Sequence, residues 1–455
     1  MPDDELSGVC SDSDNLQKDS VFVAIKGNED DGHRYINDAA KKGAKVIIAE
    51  HAIDCNVPII LTDDTRSALC YLVKNFYGEP KIDLIGVTGT NGKTSTTYMI
   101  ESIMRRNGIK TGVIGTLGVK VGEEKLVTFT KTSTTPDILE LYRILEAMSE
   151  KADVCAMEVS SHGLAQERVS GLWFKVGVFT NLTRDHLDYH KTMEEYYSAK
   201  KKLFTVSEKA VINADDSYGK RLLSECKNAV SYGINEGDIC AFDIEKTASG
   251  SHFSVVLGGE KVDINLKIPG EFYIYNALAA IAACHIMGVS NGAIQEGISF
   301  VSEISGRMES LDIDGVNVII DYAHTPDGLL KVLKTLRNIQ SGKIICLFGC
   351  GGDRDRSKRP IMGRIATENS EITIVTSDNP RTENPNEIII DILTGIKKDN
   401  YIVVPNREKA IYTALSMADR GDTVLLAGKG QEKYQIVGKE KFPFDEREIV
   451  RKRGK

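Results

Sequence analysis

Apolar residues fall along the chain in short runs divided by turn-forming residues, and the spacing of the runs changes twice. In the first part, residues 21–25 and 45–48 read as strands. Residues 38–43 close on a glycine and read as the end of a helix. The pattern breaks at Gly78-Glu79-Pro80, which has the composition of a linker. A second unit opens at Ile82 with an apolar run, 84–87. A glycine-rich turn follows, then a helical pattern with Met99, Ile100, Ile103 and Met104 on one face, ending at Asn107-Gly108. Further strands are expected at 154–157, 176–180 and 210–212. A small antiparallel segment is expected within 238–268, and a buried helix at 276–289. This unit ends near Gly306-Arg307.

The last third alternates between strand and helix. Strands are expected at 316–320, 344–348, 372–375, 401–404 and 423–426, and helices at 328–339, 387–396 and 407–418. That alternation predicts a mostly parallel sheet with helices on both faces, so the fold class is α/β. At about 100–200 residues per domain, 455 residues correspond to about three domains.

Composition narrows the possibilities. The net charge of −8 argues against a protein that coats nucleic acid, though not against local cationic pockets. No apolar stretch reaches the length of about 18 residues that a membrane span requires. The opening MPDDEL has no basic or apolar leader, and the nine cysteines form no Cys-x-x-Cys pair. The expectation is a cytoplasmic protein with reduced thiols and no zinc site.

The strongest chemical signal is Gly89-Thr90-Asn91-Gly92-Lys93-Thr94-Ser95 between a strand and a helix. Glycines let backbone N–H groups wrap a phosphate, the helix start adds positive potential, Lys93 adds a point charge and Thr94 offers a hydroxyl to Mg²⁺. The strict phosphate-loop spacing fails because Val87 stands where its first glycine would be. A carboxylate for the metal is available at a strand end, Glu158. A third strand end carries Asp185, His186 and His190; one imidazole beside a phosphate-bound Mg²⁺ is the sharper reading, a pair of loop histidines the plainer one. The stretch 197–204 with Lys200, Lys201 and Lys202 reads from composition as a solvated basic helix face. In the last unit, polar turns follow four strands: at Asp321, at Gly349–Arg356, at Ser377–Arg381 and at Ala427–Glu432. In a parallel sheet such turns share one edge, where ligands bind. Arg354 and Arg381 are suited to clamping a carboxylate.

In this order these motifs resemble the Mur ligases, most closely the MurE type, over nearly the whole chain. The resemblance rests on residues 89–94, 158–164, 180–190, 213–216, 306–309, 321–326 and the C-terminal turns. It implies an N-terminal α/β domain for a UDP sugar (1–80), a central ATPase (81–308) and a C-terminal Rossmann-like domain for an amino acid (309–455). It implies ATP contacts from Gly89 to Ser95, Asn276, Arg307 and Asp321. It also implies a metal set of Thr94, Glu158, His186 and Lys200, the last as a carbamate formed with CO₂. Neighbouring lysines are expected to favour the neutral amine that reacts. UDP-sugar contacts are implied for Ser13, Asn28, Glu29, Asp30, Thr134, Thr135, Ser160, Gln166 and Arg168. Family members often carry Asp-Ser-Arg near the start, where this chain has Asp12-Ser13-Asp14. Tyr273 replaces a usual Asn and Gln431 a common His.

Asp378-Asn379-Pro380-Arg381 matches the diaminopimelate-adding form. With Arg354, Gly428 and Glu432 it would form the amino-acid site, Arg381 gripping the distal carboxylate and Glu432 an ammonium group. The implied reaction is ATP-dependent addition of meso-2,6-diaminopimelate to UDP-N-acetylmuramoyl-L-alanyl-D-glutamate, with Mg²⁺, in peptidoglycan precursor synthesis. Lys93, Glu158, His186 and Lys200 would be its catalytic groups, and a monomer acting on small molecules is expected. The alternatives are an L-lysine-adding ligase, a folylpolyglutamate synthase and a non-catalytic binding homologue.

Overall fold

The computed structural model describes residues 6–27, 30–126 and 134–453, without the side chain of Arg453. Its first sheet has four parallel strands in chain order, Val9–Cys10, Val21–Val23, Val46–Ala49 and Ile59–Leu61. The helix Thr65–Tyr77 follows, capped by Asp64, which accepts from the N–H groups of Arg66 and Ser67. It ends on Gly78, within the expected linker. Its Leu69 and Val73 share a core with Leu141 and Tyr142 of the helix Ile138–Ser149, so the first unit packs directly on the second. The sequence pattern had not shown either helix.

The second unit is built on a nine-stranded sheet. Strand Asp83–Thr88 lies inside it, paired in parallel with Val154–Glu158 on one side and Phe174–Phe179 on the other. The register sets Val87 opposite Glu158 and Thr88 opposite Phe179, so three strand ends meet at one edge. The chain builds one side of the sheet and then the other from this strand, a switch point of the kind where α/β sheets bind ligands. Ser207–Asn213, Ala229–Gly233 and Ile239–Cys240 continue one side; Thr111–Gly115 and the hairpin Gly118–Val121/Glu124–Lys125 complete the other. The alternating segment forms a separate three-stranded antiparallel sheet, Phe242–Thr247, Gly250–Leu257 and Glu260–Leu266.

The expected buried helix is Glu271–Ile286, apolar on all sides and sealed between sheet and helices. Helix Asn291–Phe300 crosses Lys93–Arg106 at Gly297, where a Cβ would lie 2.4 Å from the Cα of Ile103.

The last sheet has six strands in the order Glu309–Ile313, Val316–Asp321, Thr423–Ala427, Ile344–Phe348, Ile372–Val375 and Tyr401–Val403. Only the first pairs antiparallel. Helix Pro326–Ile339 starts two residues earlier than its pattern, because Thr325 caps it and Pro326 suits the first turn. One apolar cluster runs from Ile85 and Val87 through Leu278 and Ile281 to Leu333 and Phe348, joining the second and third units. Among the described residues no helix is long and apolar enough to cross a membrane.

Candidate active site

Strand Asp83–Thr88 delivers the loop Gly89–Gly92 to the N-terminus of helix Lys93–Arg106. Two of its glycines are obligatory. Gly89 has φ +148°, and a Cβ there would lie 1.9 Å from Thr180 Oγ1; Gly92 has φ +89°, with Asn276 Oδ1 2.3 Å from a Cβ. Val87 is fully buried within the strand, which is why the longer glycine pattern fails: the loop here begins later. The neighbouring strand end braces the loop. Thr90 N–H donates to the Asn181 carbonyl (2.9 Å) and Asn91 N–H to Asn181 Oδ1 (3.0 Å). Thr180 Oγ1 donates to the Asn91 carbonyl at 2.6 Å.

Two lysines converge on this loop. Lys93 Nζ donates to the carbonyls of Gly89 (2.8 Å) and Thr90 (2.9 Å), and Lys200 Nζ donates to the same Gly89 carbonyl at 2.8 Å. Lys200 is 1% exposed and lies 4.6 Å over the Tyr196 ring, which overturns the solvated-face reading of its segment. Burial, and then Lys93, pushes its ammonium well below the ordinary lysine value. The neutral form is therefore favoured by depth and by Lys93, not by Lys201 and Lys202. Burial also lowers Lys93.

Thr94 Oγ1 donates to Glu158 Oε1 at 2.9 Å and receives Arg307 Nη2 at 3.2 Å. Glu158, 1% exposed, also takes the Thr116 N–H at 2.8 Å. Asp321 accepts from the N–H groups of Met308 and Ala323, and burial raises its carboxyl against the pull of Arg307. Tyr273 is buried, and burial raises its hydroxyl.

His186 adopts φ +55° and faces Asp185 at 3.3 Å. Burial holds its imidazole neutral, well below the usual histidine value. His190 points elsewhere, stacked on Tyr196 with ring centroids 5.0 Å apart. Sequence reasoning gave Asp185 no role. It is buried, and it meets Lys358 at 3.4 Å and His324 at 3.6 Å, both from the third unit. Burial opposes its charge, but Lys358, His186 and His324 together hold it ionised. Asn91 Nδ2 also reaches across, to Asp327 Oδ2 at 3.0 Å.

The four polar turns of the third unit do meet at one sheet edge. Arg381 (φ +49°) donates to the Gly352 carbonyl at 2.8 Å, and among the described residues no carboxylate lies within salt-bridge reach of it. Burial and then Arg354 press on its charge. Lys429, fully buried, was also missed. Its Nζ donates to Asn379 Oδ1 (3.0 Å) and lies 3.3 Å from Glu432 Oε2 and 3.6 Å from Asp378 Oδ1. Asn379 donates to that same Glu432 oxygen at 2.9 Å, so one Glu432 oxygen already has two internal partners. Pro380 precedes Arg381 in the turn, its carbonyl 1.9 Å from where a Cβ on Gly352 would be. Gly428 has φ +113° and lies against Asp378.

One cleft of about 1060 Å³ collects these groups: Thr90–Ser95, Glu158 and His186 on one wall; Arg354, Asp378, Asn379, Arg381, Gly428 and Glu432 on the other; Asn276, Arg307 and Asp321 between. Thr134 borders it too. Thr135, Ser160, Gln166 and Arg168 form a connected polar seam behind Glu158: Thr135 Oγ1 donates to the Glu158 carbonyl, and Arg168 donates to Gln166 Oε1 and to the Thr135 carbonyl. Ser13, hydrogen-bonded to Asp38, and Asp30, taken by the Tyr35 hydroxyl, stay in the first unit outside this cleft. Asn28 and Glu29 lie outside the described residues.

Comparison with known proteins bears on this geometry. The description "Mur ligase family, catalytic domain" fits residues 5–77, "Mur ligase middle domain" residues 87–284, and "Mur ligase, glutamate ligase domain" residues 306–430. The UDP-N-acetylmuramoyl-L-alanyl-D-glutamate–2,6-diaminopimelate ligase 1 of Clostridium acetobutylicum is 45% identical over 459 residues, covering 98% of this chain and 94% of that protein. A solved UDP-N-acetylmuramoyl-L-alanyl-D-glutamate–2,6-diaminopimelate ligase aligns with TM-score 0.70 at 30% identity, covering 99% of this chain and 95% of the other. MurF of Thermotoga maritima in complex with ADP shares the fold, with TM-score 0.69 at 20% identity over 93% and 94% of the two chains.

Proposed function

The chain belongs to the Mur ligase family, is an ATP-dependent ligase, and on that premise we propose how its cleft joins meso-2,6-diaminopimelate to UDP-N-acetylmuramoyl-L-alanyl-D-glutamate. The observation that carries this is the single cleft with a phosphate loop on one wall and two guanidiniums, Arg354 and Arg381, on the other. A diamino acid with a second carboxylate complements Arg381; lysine lacks that group.

The amides of Gly92–Thr94 at the helix start and Lys93 bind the nucleotide phosphates. The D-Glu γ-carboxylate attacks the γ-phosphorus, the β–γ bond breaks with ADP as the leaving group, and the carboxylate becomes an acyl phosphate. The amine held by the Arg354/Arg381 turns then attacks that carbonyl, and phosphate leaves. Positioning and charge neutralisation supply most of the rate. Thr94 and Glu158 present hard oxygen donors 2.9 Å apart at a strand end, a donor set that fits Mg²⁺. Lys200 as a carbamate and His186 would extend that set. The metal would neutralise charge on the phosphates. The buried, neutral-leaning Lys200 amine supports CO₂ uptake, since only the free amine reacts. The seam Thr134, Thr135, Ser160, Gln166 and Arg168, with Ser13 and Asp30 farther off, is assigned to the UDP sugar. Domain limits of 1–80, 81–308 and 309–455 follow from this division of labour.

The test is phosphate release with the UDP-muramoyl dipeptide and ATP, comparing meso-diaminopimelate with L-lysine. Faster turnover with lysine overturns the substrate choice. Lys200→Ala is expected to lose ligation, and its full retention would remove Lys200 from the site.

A further inference from the structure

We propose that Arg407 and Glu446 are a positioning pair for the amino-acid pocket, and that Arg447 ties that pocket to the linker carrying Arg307. The inference rests on the ligase reading above. Arg407 opens helix Arg407–Met417 and Glu446 opens helix Glu446–Arg453, and both side chains are completely shielded from water. Neither borders the cleft. Arg407 Nε donates to Glu446 Oε1 at 2.8 Å, Nη2 to the Ala427 carbonyl at 2.9 Å, and Nη1 reaches the Ser377 carbonyl at 3.5 Å. Ala427 and Ser377 immediately precede Gly428 and Asp378. One guanidinium therefore underlies two of the four turns.

Stability does not explain this pair. Taking two charges out of water costs about what their attraction returns, and apolar side chains of similar volume often do as well or better. Glu446 Oε2 is, moreover, buried without a hydrogen-bond partner. What the pair supplies is placement. The Asp378 carboxylate must sit beside Lys429 and against Gly428, where a Cβ would be 2.6 Å from Asp378 Oδ2. Burial opposes the Asp378 charge, and Lys429, followed by Arg407, outweighs it.

The next residue extends the brace. Arg447 donates to Glu309 Oε1 at 2.7 Å, to the Gly430 carbonyl at 3.1 Å and to Ser305 Oγ at 3.2 Å. Glu309 Oε2 in turn takes the Gly306 N–H at 2.8 Å. Two consecutive residues at one helix start thus hold the amine-side turns and the linker that sends Arg307 to Thr94 in one frame.

The decisive experiment is the double variant R407M/E446L, assayed by phosphate release and thermal unfolding. The expected result is a melting temperature equal to or above the wild type and a KM for meso-diaminopimelate raised about tenfold or more, with KM for ATP and the UDP-muramoyl dipeptide within about twofold. E446Q keeps an oxygen for Arg407 and is expected to hold the diaminopimelate KM within about threefold. Should the double variant fail to fold, R407K decides. It keeps the charge but cannot span all three partners, so the same selective rise of about tenfold is expected. An unchanged diaminopimelate KM in the folded double variant or in R407K overturns the proposal. Wild-type enzyme that releases no phosphate in response to diaminopimelate defeats the ligase reading instead.

Discussion

The two walls of the cleft solve the same problem, holding anions, by different means. The phosphate wall is built around one contiguous stretch, residues 89–95, joined by Glu158 and His186, and the shape of that stretch is set by backbone: two positive-φ glycines and the bonds from Thr180 and Asn181. The amine wall is assembled from three separated turns, and its shape is set by side-chain ion pairs beneath them. Arg359 binds both oxygens of Glu383, at 2.8 and 3.0 Å, and Arg407 binds Glu446. A backbone loop tolerates changes in charge around it but not the loss of its own groups. A wall of ion pairs is adjustable, residue by residue, and correspondingly vulnerable to acid.

Experiments can break or sharpen this contrast. The largest effect is expected on the phosphate wall: Lys93→Met should slow phosphate release about 10³-fold, since the other lysine at the loop, Lys200, leans neutral and does not replace its charge. The second concerns acid. Glu383 is 11% exposed, and its hydrogen bonds to Arg359 above all bring its carboxyl to about 2 from 4.5. The unfolded chain binds that proton more readily, so the contribution, about 3 kcal/mol, is complete above the ordinary carboxylate value and disappears as pH falls through about 2. Urea unfolding of wild type and E383Q between pH 6 and 2 should show their stability difference shrinking with acid; a constant difference would refute the ion-pair account. Third, Arg381→Lys should reduce the preference for meso-diaminopimelate over L-lysine, as a ratio of kcat/KM, by about 10²-fold. The smallest effect is expected for Asn91→Ala, which removes the bond to Asp327 across the cleft: about 1 kcal/mol, read as a severalfold rise in KM for ATP.

The same contrast explains what could be read from the sequence. The phosphate wall was legible because its groups are neighbours in the chain and its strand–loop–helix setting has a period of its own. The polar turns of the amine wall were legible as turns, because a parallel sheet must place them on one edge. Their foundations were not. Lys429 and Arg407 look like surface cations in a string of letters, and only the packing makes them fully buried. Asp185 was hidden for the same reason: its partners Lys358 and His324 lie far away in the chain. Lys200 was assigned from a resemblance, and the physical reason given for its reactivity was the wrong pair of neighbours. Edge elements such as Val9–Cys10 and Ile59–Leu61 are too short to carry a period.

The linker between the second and third units has one more implication. Met308 sits at φ +47°, its N–H clamped by Asp321 Oδ2 at 2.7 Å, one residue from the Arg307 that touches Thr94. Because that clamp ties the linker to the third unit, a swing of the unit about this point would withdraw Arg307 from the nucleotide loop in the same movement. Opening and disarming would then be a single event, and the acyl phosphate of the proposed reaction would meet the full set of phosphate-side groups only while the cleft is closed.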